Sequence, residues 1–248
     1  MEASIAHQTA LELGLSIVAL DRPGFGGSEW YRERSFQDWA DDVMTVADHL
    51  GVQRFGVLGV SGGTPTAIAA AGALRDRVTK LVVVSGMGPL YDRQVLRGMN
   101  VGNRALLELG LVVPSVAKLS IAVIARAWRR FPVLAAVWFG ALLPSVDRVI
   151  VRRREIGVLF ARNLKEALSQ GGRGVVTEFG LLLTDWSGLL EQVCVPTEIW
   201  HGDADTYVPF VMATNLQKGI KDSILHEVKD GGHFMIVDKL PAVLASFA

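Results

Sequence analysis

The sequence holds a single cysteine, Cys194, so no internal disulfide can form; its setting between Val193 and Val195 predicts a small buried core residue. Charge of one sign is also lacking: the formal net charge at pH 7 is zero, which gives no broad basic face for nucleic acid and no like-charge excess of the kind that keeps a chain disordered. The apolar run over residues 131–146 falls short of the roughly 20 helical residues that cross a bilayer and contains Pro132 and Pro144, so membrane contact is not expected. Met1-Glu2-Ala3-Ser4 has neither the basic n-region nor the apolar h-region of a signal peptide, and a cytoplasmic location is expected. None of His7, His49, His201 or His226 stands in metal-ligand spacing with another donor; structural or surface roles are expected, with no metal and no cofactor. Gly24-Phe25-Gly26-Gly27 is followed by neither a helix start nor a lysine, which excludes a phosphate-binding loop. Repeats and low-complexity segments are missing too.

What is present is enough apolar sequence for a substantial core: half of the 248 residues are hydrophobic, fitting one domain with an insertion. The most informative stretch is Gly59-Val60-Ser61-Gly62-Gly63. A short apolar strand over residues 54–58 precedes it, and an alanine-rich helix over residues 66–74 follows, opened by Pro65, whose missing N–H has no intrahelical partner to lose. Glycines at both ends let the backbone crowd together and hold Ser61 at a strained, exposed tip, the pattern of a nucleophile elbow.

Two later segments supply the partners such a serine needs. Residues 196–200 read as a buried strand followed by His201-Gly202-Asp203-Ala204-Asp205, and residues 224–228 read as a strand followed by Asp230-Gly231-Gly232-His233. Strands of a parallel sheet share one carboxyl edge, so a serine, a carboxylate and a histidine far apart in sequence converge there. A serine hydroxyl is a weak nucleophile until an imidazole accepts its proton, and a carboxylate fixes the imidazole's tautomer. Ser61 is assigned as nucleophile, His233 as base and acid, and Asp205 as orienting acid, with Asp203 left as the alternative.

From about Asp21 onward the chain resembles the α/β-hydrolase fold superfamily, specifically capped serine hydrolases of the small esterase type. The resemblance rests on Asp21-Arg22-Pro23-Gly24-Phe25-Gly26-Gly27-Ser28 after a strand expected over residues 15–20, on the elbow, on Gly202-x-x-Asp205-x-x-Val208-Pro209 and on Gly231-Gly232-His233-Phe234. It implies a mostly parallel sheet flanked by helices, an acid three residues after the glycine (hence Asp205), a structural turn at residues 21–28, and the Gly62 N–H as an oxyanion-hole donor. A serine at the elbow argues against the dehalogenase and epoxide-hydrolase branches, which carry aspartate there. In one respect the chain departs from the family: three strands and a His-Gly loop that donates the second oxyanion N–H normally precede this point. The expectation is a shortened hydrolase lacking the first three strands of the usual sheet, with a weakened or inactive, ligand- or partner-binding protein as the alternative.

The expected organisation is a hydrolase core over residues 1–91 and 188–248, interrupted by a helical cap over residues 92–187. Helices are predicted over residues 104–111, 115–128, 133–143, 146–161 and 164–170, then over 175–183 after a break at Gly171-Gly172-Arg173-Gly174. Trp128, Phe131, Trp138, Phe139 and Phe160 are the candidates for an apolar substrate wall. From Asp92 to Ser187 there are 14 Lys and Arg against seven Asp and Glu, an excess dominated by arginine and read as a solvated, salt-bridged face, with an anionic membrane surface or an anionic substrate as the alternative. The expected partner is a small apolar ester or acyl substrate; the sequence does not determine the oligomeric state.

Overall fold

The computed structural model describes residues 3–90 and 93–248. In chain order these form α1 (His7–Glu12), α2 (Asp38–His49), β1 (Phe55–Val60), α3 (Thr64–Ala73), β2 (Val78–Val84), α4 (Val101–Val112), α5 (Pro114–Arg130), α6 (Pro132–Leu142), α7 (Ser145–Val151), α8 (Arg154–Ala167), α9 (Arg173–Leu182), β3 (Thr197–Gly202), α10 (Phe210–Gly219), β4 (Ser223–Val228) and α11 (Ile236–Ala245). The chain divides into two compact units, Met1–Glu33 with Val101–Leu183, and Arg34–Asn100 with Thr184–Ala248.

The second unit contains the sheet. β1 and β3 are each followed by one helix, α3 and α10, that carries the chain back before the next strand, whereas between β2 and β3 the chain passes through α4–α9; all neighbouring strands are parallel. The order is β1-β2-β3-β4, parallel throughout. β2 is the driest strand, with Leu81, Val82, Val83 and Val84 all fully buried, as expected for a β-branched run covered on both faces. Val84 pairs with Val60 on one side and Trp200 on the other, so the strands end together at one carboxyl edge. Helix α3 packs closely on β1 because its contact residues are small: a Cβ added at Gly59 would stand 2.6 Å from the Ala67 Cβ. At the far end of the chain, Lys80 binds Glu198 at 2.7 Å and donates to the Ser246 carbonyl at 2.7 Å, tying the tail of α11 to the sheet. Burial alone would raise the Glu198 pKa, but hydrogen bonds from Lys80, Ser246 and Trp200 together lower it.

The first unit is helical. On α5 the small and branched residues Ala117, Ile121 and Ala125 form the buried face, and Gly172, in the left-handed region at φ 82°, starts α9 where its missing side chain leaves room for Ala125. The segment after α1 forms the turn that the family resemblance implies: Gly27 N–H donates to Asp21 Oδ2 at 3.1 Å and Ser28 Oγ to the Asp21 carbonyl at 2.7 Å. The Gln170 amide donates to the Gly26 and Ser28 carbonyls, holding that turn against the end of α8.

Three expectations are corrected here. Residues 15–20 form no strand; a strand exists only through a laddered neighbour, none of the described residues forms a ladder with this segment, and Ile17 and Val18 are exposed. The helical break falls at Arg152 and Arg153, not at residues 162–163, because Arg153 turns to ψ 124°. Cys194 is exposed, since Val193 and Val195 take the inward positions of an extended segment and leave the residue between them facing out.

Candidate active site

Ser61 stands where β1 ends and the turn into α3 begins. Its φ is 53°, the left-handed region that costs a residue with a side chain about 1–3 kcal/mol. This strain swings Oγ away from the strand. Pro65 lies in the first turn of α3, where no hydrogen bond is sacrificed.

Asp205 follows β3 on a loop that closes around its own carboxylate. Oδ1 accepts from the Tyr207 N–H at 2.8 Å and the Val208 N–H at 2.9 Å, leaving Oδ2 to meet His233 Nδ1 at 2.8 Å. The carboxylate is fully buried and the imidazole nearly so, so water competes little for this bond. Of the two carboxylates that the sequence left open, the structure brings Asp205 to His233, while Asp203 is exposed. His233 follows β4 on a loop begun by Asp230 at φ 54°, and its Nε2 lies 2.9 Å from Ser61 Oγ. With Nδ1–H donated to a buried carboxylate, Nε2 is the acceptor for the serine proton.

Three further residues hold these groups, and no motif in the sequence singles them out. Ser85, fully buried past the end of β2 at φ 48°, donates Oγ–H to the His233 carbonyl at 3.0 Å. Its only signal is a polar residue closing an otherwise apolar run. Asn100 donates its N–H to the Thr206 carbonyl at 2.6 Å and its amide to the same oxygen at 3.2 Å. His201, expected to be structural, donates Nε2–H to the Val208 carbonyl at 2.8 Å and stands 3.5 Å from Asp205 Oδ2. Burial holds its pKa below the usual histidine value, outweighing the pull of the Asp205 charge in the other direction. The acid and histidine loops touch through backbone: Ala204 N–H donates to the Gly231 carbonyl at 3.0 Å, and a side chain at Gly202 would strike that same carbonyl.

Of the five aromatic candidates, Phe139 stacks on Phe160 at 4.9 Å and meets Trp128 edge-on at 6.2 Å. Phe131 and Trp138 are exposed instead.

A parallel sheet with a strained serine, an acid and a histidine at its carboxyl edge defines the α/β-hydrolase fold. The chain belongs to the alpha/beta hydrolase family, whose model matches residues 4–246. It is 26% identical over 227 residues to a 2-hydroxy-6-oxononadienedioate/2-hydroxy-6-oxononatrienedioate hydrolase of Cupriavidus pinatubonensis, covering 89% of this chain and 71% of that protein. Among solved structures it resembles a bromoperoxidase from Bacillus anthracis (TM-score 0.68, 18% identity, 98% of this chain and 84% of the other). An esterase from Exiguobacterium antarcticum is similarly close in fold (TM-score 0.68, 19% identity, 99% and 85%).

Proposed function

We propose that this protein is a serine hydrolase that cleaves a carboxylic ester or related acyl bond through an acyl-enzyme on Ser61. The observation that carries the reading is the hydrogen-bonded series from Ser61 Oγ to His233 Nε2, at 2.9 Å, and from His233 Nδ1 to Asp205 Oδ2, at 2.8 Å. As Ser61 Oγ attacks the carbonyl carbon, its proton passes to His233 Nε2 and the carbonyl π electrons move to oxygen. The N–H of Gly62, the residue after the nucleophile, is the assigned donor to that oxyanion. Collapse expels the alcohol, which takes the proton from His233. A water then gives its proton to the same nitrogen and attacks the acyl carbon; the acid leaves, and the proton returns to Ser61. Asp205 stays ionised throughout, countering the imidazolium charge.

The assigned substrate is a small apolar ester, with residues 92–187 read as the cap insertion. A fluorophosphonate probe tests the nucleophile directly. We expect it to label the folded protein at Ser61 and Ser61→Ala to abolish labelling and lower ester turnover by several orders of magnitude. The same variant should keep its circular dichroism, because the hydroxyl adds little to the core. Ester turnover unchanged in Ser61→Ala would remove this serine from the mechanism. The name of the Cupriavidus relative supports a second reading, hydrolysis of an oxo-dienedioate by the same three groups. Comparing kcat/KM for a p-nitrophenyl ester and for that dienedioate separates the two.

A further inference from the structure

Helices α5 and α6 of the helical unit present an apolar surface. Along α5, Val116, Leu119 and Val123 recur at helical spacing and are exposed; along α6, Leu134, Val137 and Trp138 do the same, with Trp138 65% exposed. Surface leucines and valines scattered singly need no explanation, but two consecutive helices with exposed stripes mark a docking face. None of the described helices is long and apolar enough to cross a membrane, so whatever covers this face meets it from outside.

Charge identifies the partner. Between Glu108 and Asp147 the sequence has no acidic residue and four cations, Lys118, Arg126, Arg129 and Arg130. The last three sit in the final turns of α5, exposed and in no ion pair among the described residues, so the excess there is not the salt-bridged face that composition suggests. Arg130 lies over the Phe131 ring at 5.0 Å, its charged end beside the start of the apolar α6. A second copy of the chain is poorly suited to this face, because a two-fold interface sets the same patch against itself and would bring arginines together with no carboxylate to answer them. An anionic lipid surface satisfies both halves: apolar side chains enter the boundary between headgroups and acyl chains, and arginines at the rim reach the headgroups.

We propose that the α5–α6 face lies on an anionic bilayer, Leu134, Val137 and Trp138 inserting at its surface and Arg126, Arg129 and Arg130 binding its headgroups. The assignment is independent of Ser61 chemistry, and Ser61→Ala should bind as the parent does. Co-sedimentation with phosphatidylcholine vesicles, with and without phosphatidylglycerol, tests it. We expect binding only to the anionic vesicles, weakened by salt. Neutralising all three arginines to Gln should weaken partitioning on the order of 100-fold, and Trp138→Asp should weaken it as well, both variants keeping the parent's circular dichroism because the side chains are exposed. Failure of the parent protein to sediment with anionic vesicles overturns the proposal, as does equal sedimentation with neutral ones. A concentration-dependent dimer, dispersed by Trp138→Asp and indifferent to lipid, overturns it in favour of a second copy.

Discussion

His201 is fully buried at the end of β3, and its one N–H closes the acid loop onto the Val208 carbonyl at 2.8 Å. The residues between these two points include Asp205, so the ring determines where the carboxylate faces. Replacing it with leucine leaves that carbonyl without a donor, a loss of about 1–3 kcal/mol. The loosened loop should lower kcat about 10- to 100-fold with KM little changed. His201→Gln carries an amide nitrogen near the position of Nε2 and should recover most of both. Equal kcat in leucine and glutamine variants would reduce His201 to a packing residue. The same ring makes stability depend on pH. Its folded pKa is lowered by burial, so below the ordinary histidine value of about 6.5 the unfolded chain binds a proton that the folded one refuses, and stability falls as pH falls. Above that value the contribution is constant. Urea unfolding of the parent at a series of pH values should show this decline, and His201→Gln should reduce it.

Among the elements, β1 and α3 depend on Gly59 more than on any residue that performs chemistry. A methyl at this position would sit 2.6 Å from the Ala67 Cβ, inside the contact of two packed elements. Gly59→Ala should therefore cost about 1–3 kcal/mol in urea unfolding and slow probe labelling, because the helix that must give way also carries the turn holding Ser61; unaltered stability would mean that α3 shifts without resistance. The glycines of this turn were visible in the sequence as a pattern, and so were the runs over residues 54–58, 196–200 and 224–228 that became strands, because each is short and bounded by turn residues. The three loops that bring Ser61, His233 and Asp205 together were legible in the same way, as turns that follow strands at one sheet edge; that Asp205 and not Asp203 meets His233 depends on which carboxylate the loop turns inward. What sequence failed to give depends on neighbours. Residues 15–20 have a strand's composition but no ladder, the break at Arg152 and Arg153 has neither glycine nor proline to announce it, and Ser85 gained its role from a carbonyl far along the chain.

On the scale of the whole molecule, the sheet ends in two edge strands, β1 and β4, each bonded to a strand on one side only among the described residues. β1 is the edge that leads into the Ser61 turn. Leu58, in the middle of this edge strand, is 38% exposed. An edge with unpaired N–H and C=O groups and an apolar side chain in the open is a template for another extended segment. In a concentrated solution the available segments are the edges of other copies, so association should begin there and rise steeply with concentration. Leu58→Lys places a charge on the edge, where stacking a second copy brings like charges together, and its partial exposure keeps the expected loss of stability within about 0.5 kcal/mol. Light scattering during concentration should accordingly be lower for Leu58→Lys than for the parent, with Ser61 labelling unchanged. Scattering equal in the two proteins would mean that copies meet through a surface other than β1.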